Sequence, residues 1–75
     1  MVKAIKLNSI KDALNLSNYA SGLSLDTSVH SKSAIVDARS VMGLYALVGR
    51  DDLLFVAPDN ANPEEVFKGL KKFGM

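Results

Sequence analysis

The order of apolar and polar side chains divides the chain into seven short elements. Val2 to Leu7 is a mixed, aliphatic-rich run stopped by Asn8-Ser9, and it predicts an opening strand. Ser9, with Asp12 three residues on, has the form of a capping box, in which a hydroxyl and a carboxylate satisfy orphan helix N–H groups. The helix that follows, about Ile10 to Ser21, brings Ala13, Leu16, Ser17 and Ala20 onto one face at i, i+3, i+4, i+7 spacing. Gly22 falls just beyond it, where a left-handed residue commonly closes a helix. From Leu23 to Val29 the pattern alternates: Leu23, Leu25, Thr27 and Val29 one way, Ser24, Asp26 and Ser28 the other. A period of two predicts a half-buried strand.

His30-Ser31-Lys32-Ser33 predicts a polar turn and Ala34 to Ala38 another strand, so the two form a hairpin. Ser40 through Leu47 predicts a short helix that opens on a residue favoured at the N-cap. Gly49-Arg50-Asp51-Asp52 then turns the chain into an apolar strand, Leu53 to Ala57. The last helix is the best signalled. Asn62 caps it and Pro63 takes its first position, where a missing N–H costs nothing. Glu64 and Glu65 sit at the positive end of its dipole, Lys71 and Lys72 at the negative end. Val66, Phe67, Leu70 and Phe73 supply its apolar stripe. The resulting order is β-α-β-β-α-β-α, an α+β domain over residues 1–75 with one open sheet and three helices on a single face.

Composition narrows the chemistry. The 75 residues include no cysteine, which removes disulfides, thiolate metal sites and a cysteine nucleophile. His30 is the only histidine, so a multi-histidine metal centre is excluded as well. Nine basic against eight acidic residues leave a formal charge of +1, without the positive field that direct nucleic-acid binding uses. No run approaches the ~20 apolar residues that span a bilayer. The start, Met1 to Lys6, lacks the apolar stretch of a secretory signal, so a cytoplasmic protein is expected. These exclusions point to a binding or carrier domain, not an enzyme, with no cofactor and no metal.

The element order, together with Val36-Asp37-Ala38-Arg39-Ser40-Val41-Met42-Gly43-Leu44-Tyr45-Ala46-Leu47, resembles HPr, the phosphocarrier family of the bacterial sugar phosphotransferase system. In that family a strand ending Val-Asn/Asp-Ala/Gly-Lys/Arg runs into Ser-Ile/Val-Met-Gly-Leu/Val-Met-x-Leu, which opens the middle helix. The resemblance covers essentially the whole chain. It implies an open-faced β-sandwich with a four-stranded antiparallel sheet.

One stretch departs from the family. HPr proteins carry their phosphoryl group on a histidine at the start of the first helix, within His-Ala-Arg-Pro. The corresponding residues here are Ser9-Ile10-Lys11-Asp12, and the loop before them is shortened to little more than Asn8-Ser9. Ser9 thus occupies the carrier-histidine position. A serine phosphate ester is too stable to be passed on as a phosphohistidine is, and Asp12 repels an incoming phosphate. His30, in the predicted hairpin turn with no neighbouring arginine, reads as an exposed turn residue. Ser9 reads equally well as a plain N-cap, and Lys11 as a solvated helix residue.

The resemblance implies a second site. In HPr proteins of low-GC Gram-positive bacteria, an ATP-dependent kinase phosphorylates the serine that opens the middle helix, which corresponds to Ser40. A phosphate there adds a charge of roughly −1.5 to −2 beside a helix N-terminus, and Arg39 is placed to pair with it. Against this stands the plain reading of Ser40 as an N-cap. Leu44 and Leu47 are the natural core residues of that helix. Val41, Met42 and Tyr45 either project onto a surface that docks partner proteins, as in the family, or join the core with them. Gly43 inside the helix costs about 1 kcal/mol against alanine and permits close packing.

The combined expectation is a histidine-less HPr-like regulatory protein that binds partners and is switched by phosphate on Ser40. Candidate partners are the HPr serine kinase, a LacI-type transcription regulator and phosphotransferase-system components. The alternatives are a divergent phosphocarrier and a constitutive interaction module without phosphorylation.

Overall fold

The structure is a computed structural model that describes residues 1–73, apart from the side chain of Lys72. Its elements are β1 (Val2–Ile5), α1 (Ile10–Ser21), β2 (Ser28–His30), β3 (Ile35–Asp37), α2 (Val41–Tyr45), β4 (Leu53–Val56) and α3 (Pro63–Leu70), followed by a 3-10 turn at Lys71–Phe73. The strands form one antiparallel sheet in the order β1-β4-β2-β3. The order of elements along the chain is that expected from the sequence, with three helices against an open antiparallel sheet.

Alternation along the strands decides which side is covered. Ile5, Val29, Leu53 and Phe55 are buried and point toward the helices. Their neighbours Val2, Ala4, Ile35 and Leu54 are exposed on the other face. The helices close the core with Ala13, Leu16 and Ala20 from α1, Leu44 from α2, and Val66 and Leu70 from α3. Leu7, after β1, and Phe73, at the end of the 3-10 turn, are equally buried, and Lys6 N–H donates to Phe73 O at 3.0 Å. That bond ties the end of the chain's last helical segment to the end of β1.

Several boundaries differ from the sequence expectation, and hydrogen bonding explains them. The strand expected over Leu23–Val29 is regular only at Ser28–His30, because both neighbours give out at Ser28, opposite Val56 and Asp37. One further bond, from Ala38 N–H to Thr27 O at 3.1 Å, extends the pairing, and before it the chain runs through bends without a strand partner. The alternation of burial persists nevertheless: Leu23 and Leu25 are half-buried, Thr27 and Val29 buried. His30 is not in the turn. It ends β2, paired with Ile35, and its Nε2 lies 3.0 Å from Ser28 Oγ. The turn is made instead by Ser31, whose N–H donates to Ala34 O at 2.8 Å while its Oγ accepts from the N–H groups of Ser33 and Ala34.

Gly22 is right-handed, with φ −83°. Its N–H donates to Asn18 O and Tyr19 O, so α1 ends by tightening its last turn, not by a left-handed cap. The residue whose backbone conformation needs glycine is Gly49, at φ 89°. There the chain reverses after α2, and Gly49 N–H donates to Leu7 O at 2.8 Å, locking the start of α1 to the end of the α2 segment. At α3, Asn62 Oδ1 accepts from the N–H groups of Glu64 and Glu65, as the sequence predicts. Phe67, expected in the buried stripe, is half-buried, and Lys3 Nζ lies 5.4 Å from its ring centroid. Lys71 is exposed at the end of α3, while the Lys72 side chain lies outside the described residues.

Candidate functional site

Two helix starts carry the residues singled out by the sequence. At the first, Ser9 is extended (φ −153°, ψ 165°) and its Oγ accepts from Asp12 N–H at 3.2 Å. The returning bond of a capping box goes to the residue before it: Asn8 N–H, not Ser9 N–H, donates to Asp12 Oδ2 at 2.9 Å. The Asp12 carboxylate is thereby held beside the Ser9 hydroxyl. A group placed on Ser9 would meet negative charge.

The second start has the same cap and different surroundings. Ser40 is exposed and extended (φ −87°, ψ 98°), its N–H donates to Asp37 O at 2.9 Å, and its Oγ accepts from Gly43 N–H at 3.3 Å. No acidic side chain falls in the first turn of α2. Arg39, expected to face Ser40, is turned onto acid instead: Nε lies 3.2 Å from Asp37 Oδ1 and Nη2 3.1 Å from Asp37 Oδ2, a two-pronged pair. Asp26 adds a longer contact to the same guanidinium at 3.6 Å. The Arg39 side chain and then its backbone N–H hold the Asp37 carboxyl below its ordinary value, and the same pairing raises Arg39. The Arg39 carbonyl is anchored from behind, accepting from Ser17 Oγ at 2.8 Å.

That anchor fixes the geometry of the two starts. Ser17 lies eight residues along α1 from Ser9, so at 1.5 Å per residue about 12 Å of helix separates the first start from the point where the second is fastened. Ser9 and Ser40 are distinct places on the surface. His30 is on neither, since it projects from the sheet face that the helices leave open.

The α2 side chains divide between the two readings. Leu44 and Leu47 are buried. Val41 and Tyr45 are half-buried, with Tyr45 packed against the core, and Met42 stands out at 75% exposure. Sequence reasoning missed Ile10 and Leu14, which are also exposed. They continue the flank of α1 that carries Ser17 at i, i+4, i+7 spacing, the flank turned toward Arg39. That spacing was the available signal, masked by the stronger stripe of Ala13, Leu16 and Ala20. Gly43 is required by packing: a Cβ there would overlap Val36 Cγ1, so strand β3 and helix α2 approach more closely than alanine allows.

Among the described residues no group of three or more His, Cys, Asp or Glu side chains is placed to hold a metal ion, and no helix is long and apolar enough to cross a membrane.

Two crystal structures share this architecture. One is HPr-C-His from Thermoanaerobacter tengcongensis, at 24% identity over 96% of this chain and 85% of that one, with a TM-score of 0.71. The other is the phosphocarrier protein HPr from Bacillus anthracis str. Ames, at 16% identity over 97% and 94% of the two chains, with a TM-score of 0.70. No family model and no curated protein matches the chain. The fold is HPr-like: an open-faced β-sandwich with a four-stranded antiparallel sheet and three helices.

Proposed function

We propose that this chain is a regulatory, partner-binding HPr-like protein in which Ser40 is the modified residue and Ser9 is an N-cap without carrier chemistry. The observation that carries this reading is the contrast between the two caps: Ser40 is exposed, free of acid in its helical turn and adjacent to Arg39, whereas Ser9 is held against Asp12. Histidine chemistry at the first start has no residue to use, because the one imidazole of the chain belongs to β2.

A phosphate on Ser40 brings a charge of roughly −1.5 to −2, which competes with the Asp37 carboxylate for Arg39. Capture of the guanidinium by the phosphate leaves Asp37 and Asp26 uncompensated. The local field turns negative beside Met42, and the net charge of the chain moves from +1 to about −1. A partner that reads the α2 surface, with Val41, Met42 and Tyr45 as its apolar part, then meets two electrostatically different surfaces. Partners of this kind are an HPr serine kinase, a LacI-type transcription regulator and components of the phosphotransferase system.

The test is incubation with HPr serine kinase and ATP, followed by intact mass. The expected product carries one phosphate and is absent from Ser40→Ala. No addition, or addition that persists in Ser40→Ala, overturns the assignment. Retention of partners from lysate by the unphosphorylated chain, lost in Met42→Asp, would make the module constitutive.

A further inference from the structure

Among the described residues two polar side chains are buried, Ser17 and Thr27, and both residues hold the segment that leads into Ser40. The Thr27 hydroxyl has no partner, and Thr27 acts through its backbone, accepting from Ala38 N–H at 3.1 Å. Ser17 acts through its side chain. It shares the core face of α1 with Ala13, Leu16 and Ala20, at a position where alanine is the better helix former. A buried serine inside a helix commonly turns its hydroxyl back to the carbonyl four residues before it. Ser17 instead donates out of its helix, to Arg39 O at 2.8 Å, 22 residues away.

What shares a peptide unit with that carbonyl gives the bond its consequence. The Arg39 carbonyl and the Ser40 N–H belong to one planar trans group. Its carbonyl end is held by Ser17, and its N–H end donates to Asp37 O at 2.9 Å. Asp37 also takes Arg39 N–H on Oδ1 at 2.9 Å. A rigid unit pinned at both ends fixes the direction in which the next residue leaves it. That residue is Ser40, whose Oγ accepts from Gly43 N–H at 3.3 Å and keeps its own proton for a base.

We propose that Ser17 is a positioning residue for phosphorylation of Ser40, an inference that rests on Ser40 being the modified residue. Transfer from ATP forms the Ser40 Oγ–P bond and breaks the bond between the γ-phosphorus and its bridging oxygen. ADP leaves, and the hydroxyl proton passes to a base of the kinase. In-line attack needs the hydroxyl at one place and one angle. Ser17 supplies that placement from a buried position on α1. The grip on the chain is separate: Val41, Met42 and Tyr45 follow Ser40 in α2, which is seated by Leu44 in the core and by the close approach of Gly43 to Val36. Loss of the Ser17 hydroxyl therefore lowers kcat and leaves KM.

Initial rates of phosphate addition by HPr serine kinase and ATP, read by intact mass over a range of chain concentrations, separate kcat from KM. Ser17→Ala should lose about tenfold in kcat, with KM within about twofold of the parent. Ser17→Thr, which keeps the hydroxyl, should recover most of the rate. Val66→Ala, in the core under α3, controls for stability: it should melt lower and be phosphorylated as the parent is. The Arg39 carbonyl carbon resonance should move upfield in Ser17→Ala, as a carbonyl does on losing a hydrogen bond, and return in Ser17→Thr. A Ser17→Ala chain phosphorylated at the parent rate overturns the proposal, as does an equal loss in Val66→Ala or an Arg39 resonance that does not move. A Ser17→Thr chain with the resonance restored and the rate still low overturns it too. A parent chain that takes no phosphate on Ser40 overturns the Ser40 assignment itself, and the proposal with it.

Discussion

The starts of α1 and α2 make a controlled comparison within one molecule. Each opens on an extended serine whose Oγ accepts from the N–H three residues on, at 3.2 Å for Ser9 and 3.3 Å for Ser40. As caps they are the same device. They differ in the charges near the cap: an anchored Asp12 carboxylate within the first turn at Ser9, and at Ser40 a first turn without acid, preceded by Arg39 paired with Asp37. Capping geometry therefore does not distinguish the two serines, and the charges around them do.

The comparison can be broken most severely at Gly43. Gly43→Ala should destabilise by about 1–3 kcal/mol, because overlap with the stiff Val36 side chain outweighs the ~1 kcal/mol gain in helix propensity. Urea denaturation measures the loss, and Val36→Ala in the same chain should recover part of it. A stabilised Gly43→Ala would show that α2 and β3 are not in close contact in solution.

The caps themselves come next. Ser9→Ala and Ser40→Ala should each cost about 1 kcal/mol, a fall in Tm of about 4–8 °C for a chain of this size. A silent substitution at either position would show that the cap is not formed there. Smaller still is the response to an added charge. Ser9→Asp places like charges together beside Asp12, whereas Ser40→Asp enters a turn without acid. Ser40→Asp should be the more stable of the two by a few tenths of a kcal/mol, and Asp12→Asn should close the gap. A gap that survives Asp12→Asn would remove the electrostatic account.

Acid provides the mildest test. Asp37 has its folded value lowered by Arg39, so the pair contributes above the ordinary carboxylate range and its contribution is lost as pH falls through that range toward the lowered value. The Arg39 Nε–H resonance should follow that titration, and Asp37→Asn should abolish it. A resonance that stays fixed as Asp37 protonates would show that the guanidinium is held by other groups.

Much of this architecture was legible in the residues. Ala13, Leu16, Ser17 and Ala20 are buried as their spacing implies, and both serine caps and the Asn62 cap form where predicted. Local signals of this type depend on side chains within one turn of each other, so the chain order contains them. The expectations that changed depended on neighbours distant in sequence. Leu23–Val29 shortened because no partner strand reaches its first half, and Arg39 turned away from Ser40 because Asp37 and Asp26 offer it two carboxylates. His30 moved from a turn to a strand because Ser31 closes the hairpin with its own hydroxyl.

By itself, then, the sequence determined the periodicities, the caps and the absence of cysteine and second-histidine chemistry, since these are properties of residue type and spacing. Only the tertiary structure decided which face of the sheet stays open, which carboxylate each arginine engages, and that Ser9 and Ser40 lie apart on the surface. Those outcomes arise where strands and helices from different parts of the chain compete for the same hydrogen bonds and the same core, and no local pattern encodes the result of that competition.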